Sequence, residues 1–115
     1  MRTVYVVNDG GHCYTAAESY GKLVYMSHST LDKFQIAKMA RGFFDFLKTS
    51  KPDDYILVSG PTIANICATS VFISLHGRIN LLLWRGARDN GEEKYLVRTI
   101  DLRETVANLK ENGDD

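Results

Sequence analysis

The chain predicts a three-layer α/β sandwich: a mostly parallel, Rossmann-like or flavodoxin-like sheet of five strands with one antiparallel edge strand. Three observations carry this. First, residues 54–85 read as a β-α-β unit. Tyr55, Ile56, Leu57 and Val58 form an uninterrupted apolar run, as expected of a strand covered on both faces, and a second such run, Ile79 to Trp84, returns after a helical stretch. Second, shorter apolar runs at Val4–Val7 and Leu23–Met26 precede a long amphipathic segment. Third, Asn90-Gly91 is a strong hairpin signal ahead of Lys94–Leu102, which folds the last strand back on its predecessor. Right-handed crossovers leave few arrangements of these pieces, and the order 2-1-3-4-5 is favoured, with the first and third strands adjacent.

Each element has a local reason. Val4–Val7 ends at Asn8-Asp9-Gly10-Gly11, residues tolerant of tight turns. Thr15-Ala16-Ala17-Glu18 has the spacing of a capping box, so a brief helix with Thr15 as its cap is expected, ended by Gly21. After the second strand, Ser27-His28-Ser29-Thr30 offers several caps for a helix from about Leu31 to Thr49. In it Ile36, Met39, Ala40, Phe43 and Leu47 share helical spacing, with Lys33, Lys38, Asp45 and Lys48 elsewhere on the wheel. Gly42 inside that helix costs up to about 1 kcal/mol relative to alanine, which suggests either close packing or simple tolerance. Ser59-Gly60-Pro61-Thr62 reads as the start of the next helix: Gly for the turn, Pro for the first helical position, Ser59 or Thr62 as cap. His76-Gly77 ends it, and a weak helical turn around Val106 and Leu109 follows the last strand, with 110–115 expected to be a mobile tail.

At 115 residues the chain reads as a single α/β domain with a real core. Fourteen basic and fourteen acidic side chains balance, so no long-range field holds a polyanion, and nucleic-acid polymers are unexpected partners. Two cysteines, Cys13 and Cys67, are too few for a disulfide framework and lack partners at metal-ligand spacing, which suits reduced thiols in a cytoplasm. The start Met1-Arg2-Thr3-Val4 has no apolar signal core, and the longest uncharged run, Tyr55–Leu75, is broken by Ser59, Gly60, Pro61 and Asn65, so neither a leader nor a membrane span is expected. No metal and no cofactor is expected: His12, His28 and His76 are scattered, and Asn8-Asp9-Gly10-Gly11-His12 lacks the third glycine of a dinucleotide fingerprint.

The helix from Pro61 to Leu75 carries no charged residue, and Ile63, Ile66, Cys67, Ala68, Val71, Phe72, Ile73 and Leu75 surround most of it. A surface helix needs a polar outer side. Either the long helix or the C-terminal segment covers this one, or a second copy of the chain does; a homodimer through 61–75 is favoured.

Ligands of open α/β sheets bind beyond the carboxyl ends of the strands, where the strand order reverses. Here that point lies between the first and third strands, so the loops Asn8 to Cys13 and Ser59 to Thr62 should face one hollow. Backbone amides at Ser59, Gly60 and Thr62 suit a phosphate or carboxylate. The turn has no P-loop lysine, and the competing reading is simply an efficient helix start. Asn8 and Asp9 can read a ribose or base beside Gly10 and Gly11, against a plain turn-and-cap role. Asn65 either reaches the ligand or satisfies a neighbouring carbonyl. Arg85 and Arg88 are candidate anion clamps, against a solvated hairpin. Trp84 can stack on a base, although a Trp ending a buried strand is more often core.

Three functions follow. The favoured one is a small dimeric protein that binds a phosphorylated metabolite, most readily a nucleotide or nucleotide-derived signal, as a sensor or sequestering protein without obligatory turnover. The second is a small hydrolase or phosphodiesterase using His12, Cys13 or His28. His12 is poorly placed to deprotonate Cys13, because adjacent residues of an extended loop point apart. The third is a protein-interaction module that docks a partner on the apolar 61–75 helix.

Overall fold

Strands form where the apolar runs are continuous, and the computed structural model, which describes residues 1–28, 31–32, 34–86 and 94–112, orders them as expected. The five strands are β1 (Thr3–Val6), β2 (Lys22–Tyr25), β3 (Tyr55–Leu57), β4 (Arg78–Trp84) and β5 (Tyr95–Asp101). The sheet order is β2-β1-β3-β4-β5, with the first four strands parallel and β5 antiparallel at the edge. Val4 lies opposite Tyr55 and Leu57 opposite Leu82, while Trp84 pairs with Tyr95 at the hairpin end of β4 and β5.

Period-two alternation splits the sheet's side chains between two cores. On one face Tyr5, Val7, Ile56 and Ile79 pack with Met39, Phe43 and Leu47 of α1 (Ile36–Leu47) and with Ala64, Cys67, Ala68 and Phe72 of α2 (Thr62–His76). On the other, Val4, Val6, Tyr55, Leu57, Leu82 and Tyr95 meet only Tyr14 and Ala17 from the buried residues outside the strands. Among the described residues that second layer is one 3-10 helix, Thr15–Tyr20, with Tyr14 at its cap. Leu82 and Tyr95 are covered on this face, but Trp84 at the end of β4 is left exposed, and the hollow described below opens beside it.

Several expected boundaries are corrected. The long helix begins at Ile36 and not near Leu31, and it has no side-chain cap. Asp32 instead turns the chain ahead of it, its Oδ1 accepting from the Phe34 amide at 3.0 Å. Ser27 is no cap because its hydroxyl donates to Val7 O and Asn8 Oδ1, and Ser29 and Thr30 lie outside the described residues. Nor does Thr15 cap the 3-10 helix; Tyr14 holds the cap position. At α2 the cap position is Pro61 in an extended conformation, and neither Ser59 nor Thr62 supplies a capping bond. Gly77 ends α2 as expected, in the left-handed region at φ 72°. The weak turn expected near Val106 and Leu109 is an eleven-residue helix, α3 (Leu102–Asn112), so the backbone is helical through Asn112. The Asn90-Gly91 turn and residues 113–115 of the expected tail lie outside the described residues.

The uncharged helix α2 is covered by α1 along one side, with Ala64, Cys67, Ala68 and Phe72 buried. Its outer side remains free of charge: Thr62, Ile66, Ser70, Ser74 and Leu75 are exposed, Ile66 to 55%. Ser70 and Ser74 turn their hydroxyls onto the carbonyls of Ile66 and Ser70, four residues back, so this stripe presents little hydrogen-bonding capacity to water. Among the described residues no helix is long and apolar enough to cross a membrane.

Candidate functional site

The exit loops of β1 and β3 meet at the carboxyl edge of the sheet, and one residue pair fixes how. Asn8 is 3% exposed, and the Ser59 hydroxyl both donates to its carbonyl (2.9 Å) and accepts from its amide (3.1 Å). Ser27 from the end of β2 adds a third tie, its hydroxyl donating to Asn8 Oδ1 at 3.0 Å. The Tyr14 hydroxyl donates to Asn8 O and accepts from the Gly10 amide, which anchors the start of the 3-10 helix to the same seam. Buried polar groups need such partners, and here they bind three strand ends and one loop together.

Asn65 performs the equivalent task for the next turn. Its Oδ1 accepts from the Ser59 amide (3.0 Å), and its Nδ2 donates to Ser59 O (2.8 Å) and Pro61 O (2.9 Å). The carbonyl-satisfying reading of Asn65 therefore describes its geometry. The Ser59 amide, expected to serve a phosphate, is occupied by this side chain.

In front of the seam lies a cavity of about 570 Å³, within the range of small-molecule sites. Its described walls are His12, Cys13, Tyr14, Thr15 and Ala16 on one side, Leu57 to Gly60 as the floor, and Trp84, Lys94 and Tyr95 on the other. The loop after β1 and the turn after β3 thus do share a hollow. It opens on the sheet face that the 3-10 helix only partly roofs, and its far wall is aromatic: Trp84 meets Tyr95 edge to face, with centroids 5.2 Å apart. Burial holds the Tyr95 phenol above its usual range.

The candidates distribute unevenly around it. His12, Cys13, Ser59 and Gly60 line the cavity, with Asn8 buried directly beneath Gly60. Asp9 bends the loop, its Oδ1 accepting from the Gly11 amide, while its Oδ2 lies 3.6 Å from His28 Nδ1. Gly11 takes φ 89°, which the turn requires. Thr62 and Asn65 stand behind the floor, outside the described walls. Arg85 is likewise not among them; its amide donates to Lys94 O and closes the β4–β5 ladder. Arg88 lies outside the described residues. His76 sits at the far end of α2 against Ser50 (2.8 Å).

Cys13 carries the pronounced reactivity signal. Its Sγ lies 3.0 Å from Thr15 Oγ1. The Thr15 hydroxyl and then the Thr15 amide hold the thiol below its usual range, with the Lys94 charge assisting and Glu18 opposing. Neither His12 nor His28 contributes, so the structure pairs the thiol with a hydroxyl and not with an imidazole base. Among the described residues no group of three or more His, Cys, Asp or Glu side chains is placed to hold a metal ion.

Sequence reasoning found Ser59 and Gly60 but missed the rest of the floor and most of the walls: Leu57, Val58, Tyr14, Thr15, Ala16, Lys94 and Tyr95. Strand parity held the missing signal. Trp84 stands two residues after Leu82, hence on the same face of the sheet.

A family model described as phage Pam3 gp32-like protein matches residues 2–102. The chain belongs to that family. The match spans the whole sheet, both helices that pack on it and every described wall of the cavity. No curated protein and no solved structure matches the chain.

Proposed function

We propose that this family member is a small binding protein that holds a phosphorylated, nucleotide-type ligand in the cavity at the β1–β3 switch point, as a sensor or as a sequestering protein. The observation that carries the reading is the cavity's position: it lies where the strand order reverses, walled by the exit loops of both strands and faced by aromatic side chains. Lys94 supplies a cation at the wall for the ligand's negative charge. The polar atoms of Asn8, Ser59 and Asn65 are committed to the scaffold, which favours a preformed pocket over a catalytic one. A family named for a phage protein fits this too, since a phage-encoded binder that withholds a host signal needs affinity and no chemistry. The balanced charge supports a small ligand over a nucleic-acid polymer, and a cytoplasmic setting suits both the free thiols and such a ligand.

The second reading, hydrolysis of a similar ligand, is favoured by one observation, the Cys13 thiol in the cavity wall with its Sγ 3.0 Å from the Thr15 hydroxyl, which holds it below its usual range. Thermal-shift screening against mononucleotides and cyclic nucleotides, followed by chromatography of the recovered compound, separates the two. A binder returns the compound intact and an enzyme does not; no stabilisation by any phosphorylated compound sinks both.

Assembly belongs to the proposal as well. The uncharged stripe Thr62, Ile66, Ser70 and Ser74 favours a homodimer through α2, with docking of a different protein on that stripe as the competing account. Sedimentation of the purified chain decides it: a monomer at micromolar concentration removes the dimer.

A further inference from the structure

We propose that Trp84, buttressed by Tyr95, is the platform on which the ligand's heterocyclic ring stacks, and that Lys94 beside it receives the ligand's negative charge. This rests on the reading above that the cavity takes a nucleotide-type ligand, and it names the part of the ligand that determines affinity. Trp84 ends β4 on the same face as the buried Leu82, yet it is 54% exposed. Left half in water at the wall of a cavity, the indole offers a flat apolar face to a ligand there. Its orientation is set from behind: Tyr95 is its cross-strand partner, is almost fully buried, and meets the indole edge to face at 69°. The ring is therefore held in place by the hairpin before any ligand arrives, so stacking orders little that was free.

The neighbouring groups suit the rest of such a ligand. Lys94 directly precedes Tyr95 and lines the same cavity, which puts a cation next to the aromatic wall. Opposite are the Thr15 hydroxyl and the thiol of Cys13. The ligand's negative group then sits at Lys94 and its ring against Trp84, both of which line the cavity. Stacking is sequence-tolerant because every base has a π face, so the platform selects for the presence of a ring more strongly than for its identity.

Trp84 is the chain's single tryptophan, and its fluorescence reports the site directly. The test titrates the full chain with AMP, adenosine and ribose 5-phosphate, reading indole emission and calorimetric affinity. It then repeats the AMP titration with Trp84→Ala, Trp84→Phe and Lys94→Ala, each checked by circular dichroism for a native fold. The expected result is quenching by AMP and by adenosine, none by ribose 5-phosphate, and AMP affinity weakened roughly ten- to a hundredfold by Trp84→Ala, with Trp84→Phe recovering part of it. Lys94→Ala should weaken AMP and leave adenosine unchanged. If AMP binds the wild-type chain without altering emission, or binds folded Trp84→Ala equally well, the stacking proposal is overturned while the nucleotide reading stands. If neither AMP nor ribose 5-phosphate binds the wild-type chain, both fall.

Discussion

Gly60 lies against Asn8 so closely that a Cβ placed on it would meet Asn8 Cβ at 2.6 Å and Asn8 Nδ2 at 2.7 Å, and its φ of 81° is one that side-chain-bearing residues rarely adopt. Two independent requirements for glycine coincide at the cavity floor. Gly60→Ala should therefore cost roughly 2 kcal/mol or more, from strain and from displacement of the buried Asn8. Urea denaturation measures it; a variant as stable as the parent would show that the two loops do not approach as described.

Asn65 bonds the Ser59 amide and the carbonyls of Ser59 and Pro61 within one turn. Asn65→Ala leaves the Ser59 amide and two carbonyls without that partner, a loss on the order of 2 kcal/mol. Asn65→Asp should fare no better: it keeps an acceptor for the amide but turns a carboxylate oxygen onto the carbonyls. Equal melting temperatures for parent and Asn65→Asp would contradict the donor assignment.

Alkylation of Cys13 should be visible at a pH where an ordinary thiol is inert. The thiolate is the reacting form, and the Thr15 hydroxyl and amide favour it, so the rate should persist below the ordinary thiol range and fall only as pH drops through the lowered pKa. Thr15→Val removes the hydroxyl and should move the profile to higher pH. Cys67 should stay unmodified, since burial in the core pushes its thiol the other way. Iodoacetamide labelling read by mass spectrometry decides this; a Cys13 profile that matches a free cysteine peptide would remove the effect.

Gly42 sits on the exposed side of α1, and a Cβ there would touch nothing within 4 Å. Close packing is thus not the reason for a glycine at this position. Gly42→Ala should raise stability by up to about 1 kcal/mol through helix propensity alone. A loss of stability, measured by the same urea transition, would point to a contact that the geometry does not contain.

The strand order was legible because it depends on coarse features: continuous apolar runs, a Gly-Pro helix start and the handedness of crossovers. The site was legible only as a location. Asn8, Ser59 and Asn65 stand at the switch point as expected, but single-chain reasoning cannot tell a polar side chain that waits for a ligand from one that closes a turn, and all three close turns. Conversely, Trp84 read more readily as core, because a tryptophan that ends a buried strand usually is. Trp84 is not: it is 54% exposed at the end of β4. The late start of α1 was hidden for a similar reason: the Asp32 side chain bends the backbone locally where several plausible caps had suggested a helix.

The helix α3 presents described side chains that are all exposed, and the two cores and the cavity are complete without it. The family match ends at Leu102, the residue where that helix begins. A chain cut after Leu102 would keep the whole foldable unit, together with the Leu102 amide that donates to Gly77 O and pins the end of α2. The terminal helix is then joined to the rest at one end, where the Arg103 side chain lies against Gly77 at the close of α2.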